Sequence, residues 1–177
     1  MIQFLSKIEN GIGALNEVLG RMASWLTFVL VLLVCIDVTV RYLFDNTQAW
    51  IMELEWHLFA LIFLMGAGYT LKHDHHVRVD LFYTKFSKRD KALVNLSGAV
   101  LFLIPWCLVI IIYSFQYANT SFQIGEGSPD PGGLPARYII KFAITFGIGF
   151  LLLQAIASVC SSIIAIIETN GENEVIE

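Results

Sequence analysis

Residues 22–44 read MASWLTFVLVLLVCIDVTVRYLF, an apolar run whose only charges are Asp37 and Arg41. Lipid offers backbone amides no partner, so a segment that crosses a hydrocarbon layer about 30 Å thick must be a helix of about 20 mostly apolar residues. This run is long enough. Residues 50–70, 92–117 and 136–167 meet the same test. The last two exceed the minimum, so tilt or extension past the lipid is expected of them, and Pro105 within the third should bend it. The fold class that follows is an all-α membrane protein with four transmembrane helices, a single membrane domain over residues 1–177 with no internal repeat.

Composition points the same way. Of 177 residues, 56% are hydrophobic and 15% charged, with a mean hydropathy of +0.69, far more apolar side chain than one small core hides. A net charge of −4 and the lack of a long basic stripe argue against a nucleic-acid partner. Cys35, Cys107 and Cys160 each lie within an apolar run, without a CxxC spacing, and read as small buried hydrophobes.

Ahead of the first span, Leu5, Ile8, Ile12, Leu15 and Leu19 recur every three or four positions, with Lys7, Asn10 and Glu17 between them. That spacing predicts an amphipathic helix over residues 1–20 lying in the headgroup plane. The 22–44 run is too long for the apolar part of a signal peptide and ends in RYLFD, so it is expected to be retained. Between the third and fourth spans, EGSPDPGGLPAR (126–137) holds three prolines in seven positions and should stay non-helical until Pro135, a favoured first-turn residue.

Lysine and arginine set the expected orientation. The connection between spans two and three carries Lys72, Arg78, Lys85, Lys88, Arg89 and Lys91, and the other two connections carry almost none. The middle connection is therefore read as cytoplasmic. Both termini follow it, including the acidic tail 168–177, and residues 45–49 and 118–135 face outward.

Within that middle connection, LKHDHHVRVD (71–80) packs three histidines and two aspartates into ten positions. His73 and His76, at i and i+3 on a helix, could bind a divalent ion with Asp74 or Asp80. Nothing else in the loop completes a ligand set, and a proton relay would have to cross the apolar layer rather than sit at its edge. Histidines and charges at an interface commonly anchor a helix end. The preferred reading is a cytoplasmic anchor or subunit contact formed by His73, His75, His76, Arg78 and Asp80.

Ionisable side chains inside spans are costly and default to pairing or function. Here they are Asp37 and Arg41, Glu53, Glu55 and His57, and Arg137 and Lys141. All lie toward the outer half of their helices under this orientation, three acids against three bases with His57 aside. Asp37 and Arg41 share a face, as do Arg137 and Lys141, and Glu53 and His57, whereas Glu53 and Glu55 point about 200° apart. Two cations at the start of a helix oppose its dipole and call for a carboxylate. The spacing suggests a charge network or subunit contact joining spans one, two and four through Asp37, Arg41, Glu53, Glu55, Arg137 and Lys141; the plainer alternative is separate snorkelling to the interface. Trp50, Trp56, Tyr42 and Tyr138 fit an aromatic belt. Gly66, Ala67, Gly68, Gly147 and Gly149 are small enough for close helix approach.

The order of RYLF at the end of span one, WIMELEW (50–56), FLMGAGYTLKHDHHVRVD (63–80) and LPARYIIK (134–141) resembles the small, DctQ-type membrane subunit of tripartite ATP-independent periplasmic (TRAP) transporters. The resemblance covers nearly the whole chain. It implies a non-enzymatic subunit of the bacterial inner membrane. A periplasmic binding protein would deliver an organic acid, a large multi-span subunit would hold the substrate and sodium sites, and this chain would scaffold that subunit among membrane lipids. No cofactor is expected, sodium coupling falling to the partner. The residues agree with such a role, since no broken helix, inverted repeat or midplane polar pocket is evident.

Two rival readings draw on the same residues. A haem-bearing membrane anchor of a quinone-linked dehydrogenase needs axial histidines on facing helices, and His57 alone is intramembrane. A four-span small multidrug exporter needs an unpaired glutamate near the midplane, whereas Glu53 and Glu55 sit shallow beside cations.

Overall fold

In lipid the four apolar runs have no conformation but the helix that satisfies their own amides, and the computed structural model shows them so. It describes residues 2–73, 83 and 86–174, with side chains through 169. The helices are α1 (Ile2–Phe44), α2 (Ala49–Lys72), α3 (Lys88–Gly98), a π-helical turn (Ala99–Leu103), α4 (Ile104–Gln123) and α5 (Tyr138–Glu174). α3, the π turn and α4 form one continuous span, so among the described residues four helices are long and apolar enough to cross a membrane.

Two boundaries have local causes, and one expected boundary is absent. α3 begins at a capping box: Ser87 Oγ accepts from the Asp90 amide at 3.2 Å, and the Asp90 carboxylate accepts from Ser87 N at 3.4 Å. Pro105 has no N–H to offer the preceding turn, and the disturbance expected there takes the form of the π turn immediately ahead of it. Residues 2–20 do not form a separate element. No proline or cap divides them from the first span, and α1 runs through as one helix. Its buried face there passes through Gly13, Asn16, Leu19, Gly20 and Ala23, rotated roughly 60° at 100° per residue from the Leu/Ile stripe. Leu15 of that stripe is exposed. The segment is held by neighbouring helices as well as by its apolar face.

α5 is the central helix, packing against α1, α2, α3 and α4, while α1 and α2 also pack against each other. Small residues permit this. A Cβ at Gly20 would overlap the Tyr69 ring, one at Gly68 would overlap Asn16, and one at Gly147 would reach Leu64. Cys107, Ile148 and Leu151 form the core between α4 and α5. Interior polar groups meet across helices: Asn16 Nδ2 donates to Gln154 Oε1 at 2.9 Å, and the Ser114 and Thr145 hydroxyls stand 2.9 Å apart. The bundle therefore has a loop end, with the 45–48 turn and the 124–137 connection, and a terminal end, where α1 starts and α5 finishes.

Candidate functional site

Glu53 lies one turn into α2 and is 4% exposed, a position where a carboxylate persists only if donors surround it. The connection between α4 and α5 supplies them. Ser128 Oγ donates to Glu53 Oε1, the Leu134 amide donates to Oε2, and Arg137 Nη2 lies 3.2 Å from Oε1. The connection is pre-shaped for this. The Glu126 carbonyl accepts from Arg137 N at 2.9 Å, the Leu134 carbonyl from Ser128 N at 3.1 Å, and the Asp130 carbonyl from Gly133 N at 3.0 Å. At Gly133 a side chain would collide with Ser128 Oγ and stand 2.8 Å from Glu53 Oε2. Ala136, at φ 62, takes the left-handed conformation that turns the chain into α5.

A second pair closes the same loop from its other side. Lys141, in the first turn of α5, donates to Glu126, and its ammonium lies 4.0 Å from the centre of the Tyr117 ring. The Lys141 ammonium holds the Glu126 carboxyl below its ordinary value of 4.5. Together the two pairs pin one loop to α2 and α5.

The third pair is internal to α1, where Arg41 donates to the buried carboxylate of Asp37. Beside it, Glu55 Oε1 is buried without a hydrogen-bond partner in the described residues, as is Arg137 Nε. Arg41, Thr47, Glu55, Trp56, Asp130 and Arg137 line one cavity of about 1050 Å³ between α1, α2 and the loop. The six charges singled out in the sequence thus divide. Glu53 meets Arg137 and Asp37 meets Arg41, Glu55 lines a cavity with Arg41 and Arg137 while its Oε1 has no partner among the described residues, and Lys141 goes to Glu126, which the sequence reading passed over. Glu126 carried one available signal: it is the acid opening the connection that leads to two cations at a helix start. His57 Nδ1 contacts the Glu53 carbonyl, and its ring stacks on Trp56 with centroids 3.9 Å apart.

At the terminal end, Glu17 of α1 gathers Lys72 Nζ at 2.8 Å and His73 Nε2 at 3.0 Å. His75, His76, Arg78 and Asp80 lie outside the described residues. Among the described residues no three His, Cys, Asp or Glu side chains converge in a metal-binding group.

A family model described as Tripartite ATP-independent periplasmic transporters, DctQ component, matches residues 30–164, well over half of the chain. A comparison with curated proteins finds no match.

Proposed function

Since this chain belongs to the DctQ-component family of the tripartite ATP-independent periplasmic transporters, we propose that it is the small scaffolding subunit of such a transporter in the bacterial inner membrane. It packs against the large multi-span subunit, which carries out sodium-driven uptake of an organic acid delivered by a periplasmic binding protein. The lysine-bearing connection and both termini face the cytoplasm, and the 124–137 loop faces the periplasm. This chain needs no cofactor of its own.

One observation supports the scaffold role: Glu53, Glu126, Arg137 and Lys141 are committed to fastening a loop across helix ends. A carrier would instead need helices broken near mid-membrane, with polar ends converging on a substrate. The family match favours neither the haem anchor nor the exporter. The test is deletion of this chain beside an intact large subunit and binding protein. Sodium-dependent uptake in whole cells should fall to background, and uptake at the normal rate would overturn the proposal.

A further inference from the structure

At the terminal end of the bundle, away from the charge pairs of the loop end, α1 and α3 both pack against α5 and make no comparable contact with each other. The gap between them is a cleft of about 740 Å³, against about 30 Å³ for one water in the liquid. Its floor is the small-residue face of α5, including Ala157, Ser158, Ser161 and Ala165. The walls have opposite sign. Lys88 and Lys91, at i and i+3 on one face of α3, form the first. Glu9 and Glu17 of α1 form the other.

Glu17 is already committed to Lys72 and His73. Among the described residues Glu9, Lys88 and Lys91 make no ion pair, Lys91 standing 5.4 Å from the centre of the Tyr83 ring. Opposite charges that α5 holds apart cannot neutralise one another directly. They call for an occupant carrying both signs a few bonds apart. The cleft opens where the spans leave the apolar layer.

We propose that this cleft holds the headgroup of an aminophospholipid, with its phosphodiester on Lys88 and Lys91 and its primary ammonium on Glu9. The shared chemistry, a phosphodiester with a pendant ammonium, also occurs in soluble glycerophosphoethanolamine, and the position of the cleft between helices long and apolar enough to cross a membrane selects the lipid. Choline offers Glu9 no N–H, and a glycerol headgroup leaves Glu9 facing an anion. The site is separate from the transporter reading and stands or falls independently of it.

The test is native mass spectrometry of the full chain, stripped of lipid in detergent and titrated with dioleoyl-phosphatidylethanolamine, -phosphatidylcholine or -phosphatidylglycerol. Phosphatidylethanolamine should bind one per chain and about tenfold tighter than phosphatidylcholine, a charge-assisted hydrogen bond's difference. Lys88→Ala with Lys91→Ala should weaken phosphatidylethanolamine and phosphatidylglycerol alike. Glu9→Gln should erase the preference for ethanolamine over choline and leave phosphatidylglycerol binding no weaker. Equal binding of the three lipids, no retained lipid, or unchanged binding by the double lysine variant would each overturn the proposal. Displacement by glycerophosphoethanolamine at equal concentration would overturn its lipid part. The comparison of headgroups on the unaltered chain needs no variant to fold.

Discussion

Glu126 shows what a single residue contributes and why it was harder to see than Glu53. Glu53, Arg137 and Lys141 announce themselves as charges within apolar runs, so depth along a helix is enough to suggest that they need partners. Glu126 sits in a polar connection, where an acid costs nothing in water, and its role depends on how the loop folds back over Lys141. Spacing along the chain carries no information about that return. The pairing has a pH signature. The folded carboxyl titrates below its ordinary value of 4.5, so its contribution is complete above that pH and drains away as pH falls through the lowered folded value. Glu126→Gln should therefore lower the thermal midpoint in detergent at pH 7, with the gap from the unaltered chain closing on acidification below 4.5. A gap independent of pH down to acid unfolding would show that the ion pair is not its source.

Helices were the most legible level, since hydropathy over about 20 residues reports directly on what lipid tolerates. What hydropathy could not give was the side each helix turns to its neighbours, because in a bilayer the outward face is as apolar as the core. Of the small residues in the sequence, Gly66 and Gly149 have open space where a side chain would go, whereas Gly147 lies against Leu64 and Gly20, outside the predicted spans, lies under the Tyr69 ring. Substitution should sort them. Gly20→Val and Gly147→Val are each expected to destabilise the bundle by about 1–3 kcal/mol, the usual cost of overpacking. Gly66→Ala and Gly149→Ala, in open space, should leave it unchanged or slightly stabilised, because alanine is the better helix former. Denaturation in a fixed detergent would rank the four, and equal effects would mean that helix propensity, not crossing geometry, governs.

At the scale of the whole molecule the charges are spent unevenly, and the imbalance bears on assembly. Glu53, Asp37 and Lys141 are satisfied within the chain, but Glu55 Oε1 is buried beside the α1–α2 cavity with no hydrogen-bond partner among the described residues. A buried acceptor without a donor costs about 1–3 kcal/mol, a burden removed if the large subunit brings a lysine, arginine or hydroxyl against that cavity. The sequence showed that Glu53 and Glu55 must point apart; which one the chain itself would satisfy depended on the 124–137 loop and was not legible. Under the scaffold reading, Glu55→Ala removes an acceptor oxygen left unmet among the described residues and met by the partner. The isolated chain should keep or slightly raise its thermal midpoint, while recovery of the large subunit by affinity purification through this chain falls several-fold. Glu53→Ala should do the reverse, lowering the midpoint of the isolated chain first, since its carboxylate holds the loop. Loss of both properties in both variants would mean that the two glutamates serve one internal network, and full recovery of the large subunit with Glu55→Ala would remove the cavity from the interface.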